Sequence, residues 1–267
     1  MSNIGEVFLS AGLCIGLMML FLWFLSLGLR NASIVDIAWG SGFVLVAWVS
    51  VLVGNGNSER GILIAVLATI WGARLSVHLA WRNIGHGEDF RYQAMRKHHG
   101  GKFWFVSLFQ VFVLQGVLMW VVSLPLQLGQ VDTTPSLGLL SIIGSAIWLI
   151  GILFESIGDL QLARFKANPQ STGKVLQTGL WRYTRHPNYF GDCLVWWGLA
   201  VIASESASGR FGFIGAGVMT ILLLRISGVA FLEKTIVRRR PEYLEYQRVT
   251  SAFIPRYPKR SKSESHL

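Results

Sequence analysis

A chain of 267 residues in which 52% are hydrophobic and only 14% charged excludes an ordinary soluble domain, where about a quarter of the residues carry charge. The net charge of +10 comes from 24 Lys and Arg against 14 Asp and Glu, gathered in short stretches between long apolar runs. That distribution speaks against a nucleic-acid-binding module and for basic segments flanking membrane spans, beside anionic lipid. The two cysteines, Cys14 and Cys193, sit in apolar context without metal-type spacing, so they read as packing residues.

Apolar runs near the roughly 20 residues that a bilayer crossing needs lie, in chain order, at about 6–29, 37–54, 61–81, 103–124, 137–158, 188–204 and 211–232. The sequence therefore predicts an all-α, polytopic integral membrane protein of about seven spans, the second and sixth being short. No Lys or Arg precedes the first run, so that run reads as a span and not as a removable signal. With the N-terminus outside, twenty of the 24 basic residues fall on inner segments 30–36, 82–102, 159–187 and 233–267. Only Arg60 and Arg210 remain in outer loops, which predicts a cytoplasmic C-terminus. Residues 1–255 read as one membrane domain without internal repeat, and 256–267 as a disordered basic tail.

Ionisable side chains within spans are costly and call for partners or a polar cavity. Arg74, His78 and Arg82 recur at helical spacing on one face of the third span, and Glu155, Asp159 and Lys166 on one face of the fifth and its extension. A buried ion network, such as Arg74 with Glu155, and a ligand site are both open readings of these faces. The loop 179–192, GLWRYTRHPNYFGD, adds a helix start at Pro187 with His186 at the N-cap. Arg182, Arg185 and His186 around a helix N-terminus suit a phosphate, Tyr183 and Tyr189 offer flat faces, and Asn188 and Asp192 lie one turn apart. A Gly-x-Gly-x-x-Gly run is absent, which argues against a Rossmann-type site. In the loop 82–102, Glu88 and Asp89 lie beside Arg91 and Tyr92, carboxylates for a ribose hydroxyl and a guanidinium for a phosphate. The adjacent His98 and His99 lack a third ligand, so no metal is expected.

The run LWRYTRHPNYFGDCLVWWG (180–198) resembles the C-terminal region of the steroid 5-alpha-reductase family. It is closest to a bacterial membrane branch whose substrates are mostly unknown, and is similar also to the sterol delta-14 and delta-7 reductases. NASIVDIAWG (31–40), WGARLSVHLAWR (71–82), GEDFRY (87–92) and the tail RRPEYLEYQRVTSAFIP (239–255) extend the resemblance over most of the chain. It implies a seven-span enzyme of the bacterial inner membrane that binds NADPH on the cytoplasmic side and reduces a carbon–carbon double bond in a lipid. The implied cofactor residues are Arg74, His78, Arg82, Asp89, Arg91, Glu155, Asp159, Lys166, Tyr183, Arg185, His186, Asn188, Asp192 and Glu233.

In the steroid enzymes a carboxylate and a tyrosine polarise the substrate carbonyl. Here Asp36 stands for the carboxylate, and the tyrosine position holds Trp71. The expected mechanism is hydride transfer to the β-carbon of a conjugated alkene, with a protonated Asp36, the Trp71 N–H or Tyr189 as donor to the developing oxyanion. The expected substrate is steroid-like or another lipid and enters from the bilayer, while the oligomeric state stays open. Isoprenylcysteine and phospholipid methyltransferases share an RHPxYxG-type stretch, so an S-adenosylmethionine-dependent membrane methyltransferase is the alternative. A transporter or lipid-binding protein is the second, disfavoured by the lack of an inverted repeat.

Overall fold

The structure, a computed structural model, describes residues 4–54, 59–131, 137–226, 229, 233, 236–237 and 240–259. Helices α1 (Ile4–Leu29), α2 (Ile34–Val53) and α3 (Glu59–Asn83) come first. They are followed by α4 (Phe90–His99), α5 (Phe103–Ser107), α6 (Leu114–Val122) and α7 (Leu124–Leu128). A π-helical segment, Leu108–Val113, joins α5 to α6. Then come α8 (Leu139–Ala167), α9 (Pro187–Ala203), α10 (Gly212–Ile221) and α11 (Tyr243–Val249). No strand occurs among the described residues, and the isolated bridge between Thr184 and Ser251 is the nearest approach to one.

Among the described residues, six segments are long and apolar enough to cross a membrane: Ile4–Leu29, Ile34–Val53, Glu59–Asn83, Phe90–Val122, Leu139–Ala167 and Ser208–Ile226. The sixth expected span is α9, whose 17 residues reach only ~25 Å at 1.5 Å per residue. Part of the last expected span, 227–228 and 230–232, lies outside the described residues, as do 260–267 of the expected disordered tail. Of the rest of that tail, Arg256 N donates to Tyr183 O at 3.0 Å and Lys259 N to Val249 O at 2.8 Å.

The burial pattern is that of helices in lipid. Along α1 the buried positions are Val7, Ala11, Ile15, Met19 and Leu22, one per turn. The opposite stripe of Leu9, Leu13, Leu17, Phe21 and Phe24 is exposed, though just as apolar. Water would not tolerate such a face, whereas hydrocarbon does. Apolar area then gives no preference for one face, and association rests on close packing of small residues.

The chain falls into two compact units, Met1–Ile143 with Leu199–Gly215 and Gly144–Gly198 with Ala216–Leu267. In the first unit α2 and α3 touch backbone to backbone at Gly40 and Gly72, where a Cβ on either glycine would collide with the other's carbonyl. In the second, a Cβ on Gly191 of α9 would meet Gly151 O of α8 at 2.5 Å. Each unit also carries a half-exposed indole satisfied by a threonine. Trp48 Nε1 donates to Thr69 Oγ1 at 2.9 Å, and Trp197 Nε1 to Thr220 Oγ1 at 3.0 Å. Each threonine donates in turn to a carbonyl four residues back, so none of these indole and hydroxyl hydrogens faces lipid alone.

Candidate active site

In the first unit the site begins at the turn between α1 and α2. Arg30 adopts φ 52°, and Asn31 Oδ1 accepts from Ser33 N at 2.9 Å, closing an Asx turn that starts α2. Asp36 follows in the first turn of α2, where the helix dipole favours a carboxylate. The segment before α4 latches onto this turn. Glu88 Oε1 accepts from Ala32 N at 2.7 Å, and Asp89 N donates to Ser33 Oγ at 3.1 Å. Asp89 caps α4 by accepting from Arg91 N at 3.0 Å.

These contacts bring Arg91 and Tyr92 to Asp36. Arg91 Nη2 reaches Asp36 Oδ2 at 2.7 Å, and Arg91 Nε reaches Asp89 Oδ1 at 2.8 Å. Tyr92 Oη donates to Asp36 Oδ1 at 2.8 Å and accepts from Gln115 Nε2 of α6 at 3.0 Å. Alongside, Arg96 forks onto Glu88 at 2.9 and 2.8 Å and stacks 4.4 Å above Phe103. Burial opposes ionisation of Glu88, but donation from Arg96 and Ala32 outweighs it and holds the carboxyl below its ordinary range. Asp89 is held low likewise, with burial overcome by Arg91.

In the second unit Pro187 opens α9, and His186 O accepts from Phe190 N at 3.0 Å, so His186 stands at the N-cap as its spacing predicts. The anion that Arg185 and His186 hold, however, is internal. Arg185 Nε and Nη2 form a fork onto Glu233 at 2.6 and 3.1 Å, and Nη1 donates to Gln247 O and Thr250 O at 3.1 and 2.5 Å. His186 Nε2 lies 3.1 Å from Glu233 Oε1, Gln247 Nε2 2.9 Å from Oε2, and Tyr243 Oη 3.5 Å from Oε1. Burial raises the Glu233 carboxyl, but His186 and Arg185 outweigh it and hold it down to about 2. Tyr243 and Tyr246 are pushed above the ordinary phenol range, first by burial. Four of the five guanidinium N–H groups of Arg185 are therefore committed within the chain. Arg185, His186 and Glu233, expected at the cofactor, are thus held to one another and join α9 to the C-terminal segment.

The remaining expected residues divide between the units. Asn188 Nδ2 donates to Asp159 Oδ1 at 3.0 Å, joining α8 to α9 in the second unit. Glu155 is buried there, Asp192 and Tyr183 are half-buried, and Lys166 is exposed. Tyr189 stacks on His186, with ring centres 5.5 Å apart and planes at 2°. In the first unit Arg74 and His78 are half-buried and Arg82 exposed. Trp71 is fully buried, edge-on to Phe43 at 5.6 Å, and belongs to the core. The two oxygens of Asp36 accept, one from Arg91 and one from the Tyr92 hydroxyl. Tyr92 and Gln115 are site residues that the sequence assignment left out. The spacing of Asp36 and the GEDFRY run holds no signal of their pairing.

An apolar cavity of about 400 Å³ also lies in the first unit, along α1, the π segment and α6. Gly12, Gly16 and Gly116 line it together with Met19, Phe112 and Trp120. Gln115, which holds Tyr92, directly precedes Gly116 on α6.

The fold and these clusters define a polytopic helical membrane protein with two ion-paired polar centres. Residues 22–250 match the family DUF1295, described as a protein of unknown function, and the chain belongs to that family. An uncharacterized protein of Schizosaccharomyces pombe is 26% identical over 266 residues, covering 88% of this chain and 76% of the relative. The chain is also similar to 3-oxo-5-alpha-steroid 4-dehydrogenase 1 of Bos taurus, 38% identical over 66 residues, a quarter of the length of each protein. No solved structure matches.

Proposed function

We propose that this protein is a membrane-embedded, NADPH-dependent reductase of a conjugated carbon–carbon double bond in a steroid-like or other lipid substrate. The observation that carries the reading is the Tyr92 hydroxyl, fixed between the Asp36 carboxylate and the Gln115 amide in a unit that also holds an apolar cavity. The similarity to a bovine steroid dehydrogenase supports the reaction class. The second unit holds donors suited to a dinucleotide. Arg164, Lys166 and Arg182 are exposed cations for phosphates. The amide–carboxylate pair of Asn188 and Asp159 offers both a donor and acceptors to ribose hydroxyls. Glu155, Tyr183 and Asp192 complete that set. Arg74, His78 and Arg82 of the first unit remain cofactor residues assigned from the sequence, and the basic segments face the cytoplasm.

The chemistry that NADPH supplies when bound is a hydride for the β-carbon of the alkene. The residues of the chain manage the charge that develops on the conjugated oxygen. The Tyr92 proton turns from Asp36 to that oxygen and gives the enol, which tautomerises to the saturated carbonyl compound. Gln115 keeps the phenol oxygen in place, and Arg91 balances Asp36 while the proton is away. Tyr92 is then reprotonated from water.

Calorimetry on the detergent-solubilised protein with NADPH, NADH and S-adenosylmethionine tests the reading. The expected outcome is NADPH bound at least tenfold more tightly than either of the others. Preferential binding of S-adenosylmethionine would replace the reductase with a methyltransferase.

A further inference from the structure

We infer that the first unit carries a docking surface for one anionic diacyl phospholipid, at the exposed corner where α1 meets α5 below the end of α4. Five rings form a continuous ladder there. Trp23 lies 4.7 Å from Phe24 and 6.4 Å from Trp104, centre to centre. Trp104 lies 5.6 Å from Phe105, and Phe105 5.2 Å from Phe109. Neighbouring planes are tilted or edge-on, at separations where aromatic pairs attract. Trp23 Nε1 donates to Trp104 O at 2.9 Å, which ties the ladder across the two helices. Trp23 itself is buried, whereas Phe24, Trp104, Phe105 and Phe109 are each more than half exposed. Earlier on α1 the exposed stripe is Leu9, Leu13 and Leu17, which present no flat face. Rings already held by their neighbours lose little freedom when an acyl chain settles on them, and their faces give it continuous dispersion contact.

The ladder fits a lipid tail, and the charge above it selects the headgroup. Lys102 stands directly before α5, and Phe109 lies seven residues on, ~10.5 Å along the helix. That length runs from the headgroup, through an interfacial layer of roughly 5–7 Å, into the upper acyl region. The segment 96–102, RKHHGGK, carries Arg96, Lys97 and Lys102 and no carboxylate. Arg96 is committed to Glu88, and Arg91 to Asp89 and Asp36. Lys97 and Lys102, which flank the turn from α4 into α5, are exposed, and no described carboxylate pairs with either. A phosphodiester supplies the counter-ion that the chain withholds.

The test is native mass spectrometry of the full chain, released from nanodiscs of phosphatidylglycerol and phosphatidylcholine with matched acyl chains in equal parts. Expected is one retained phosphatidylglycerol per chain, favoured at least tenfold, since each basic side chain beside an anionic headgroup contributes a factor of roughly five. Lys97→Gln with Lys102→Gln should bring the preference below twofold. Trp104→Leu with Phe105→Leu and Phe109→Leu should cut retention of both lipids at least fivefold and leave the preference between them. All five positions are exposed, so these substitutions spare the packed core. Lys174→Gln with Lys259→Gln removes the same charge at exposed positions of the second unit and should change nothing. An equal loss in that control pair, or a preference that survives in the Lys97 and Lys102 pair, would overturn the inference in favour of general attraction to a basic surface. Retention unmoved by the three leucines would overturn it by removing the ladder. Displacement of the lipid by millimolar inorganic phosphate would do so too, by making the lysines a phosphate site that needs no acyl chain.

Discussion

The polar centres of the two units use the same groups, a carboxylate, a guanidinium and a phenol, in opposite states of closure. In the first, the side chains of Arg91 and Asp36 are 41% and 21% exposed. In the second, those of Arg185 and Glu233 are 9% and 15% exposed, and Glu233 receives His186, Gln247 and Tyr243 besides. A sealed, fully bonded pair holds elements in place, because removing either member strands the other away from water. A half-open pair contributes little to stability but can exchange a partner, which is what acid–base chemistry requires.

The sharpest way to break this contrast is Arg185→Ala. It strands the Glu233 carboxylate together with the carbonyls of Gln247 and Thr250, and should cost about 3–5 kcal/mol in reversible unfolding from detergent. An unchanged melting temperature would deny the second cluster its bracing role. Next in size is the pH response of the same cluster. Glu233 titrates at about 2 in the folded chain against 4.5 for the unperturbed group. The unfolded chain therefore takes up the proton first as pH falls. The contribution, about 3 kcal/mol, is present above pH 4.5 and fades toward pH 2. Glu233→Gln should remove it and flatten that part of the stability–pH curve, and a curve as steep as wild type would assign the acid response to other groups. The smallest effect on stability belongs to Tyr92→Phe. It should lower turnover by roughly 10² or more while moving stability by no more than about 1 kcal/mol. Full turnover in this variant would take Tyr92 out of the chemistry.

Much of the architecture was legible, because apolar runs and the clustering of basic residues are local properties. The start of α9 at Pro187 was legible too, since proline carries its own conformational rule. The centres were legible only by halves. The GEDFRY run shows a guanidinium and a phenol side by side, but the Asp36 that joins them comes from 55 residues away, brought there by the Asx turn at Asn31. The cations of RHPNYFGD advertise an anion site, and nothing local reveals that Glu233 fills it from 48 residues downstream. The indole N–H of Trp71 is visible in sequence, whereas its complete burial is a property of the packed helices. The π-helical turn at Leu108–Val113 is composed of residues as apolar as its surroundings and carries no mark at all.

The length of α9 has a consequence for the membrane itself. At ~25 Å it falls ~5 Å short of a hydrocarbon layer of roughly 30 Å. Such hydrophobic mismatch is relieved by thinning the bilayer or by bringing polar collars into its margin, at a cost of fractions of a kcal/mol per Å. Arg185 and His186 form such a collar directly before the helix, and their pairing with Glu233 neutralises it. Neutralised in this way, the collar can lie below the headgroups without drawing water after it. The short helix can then sit in a membrane of ordinary thickness, and bilayers of longer acyl chains should unsettle this protein less than they would one whose collar were left charged.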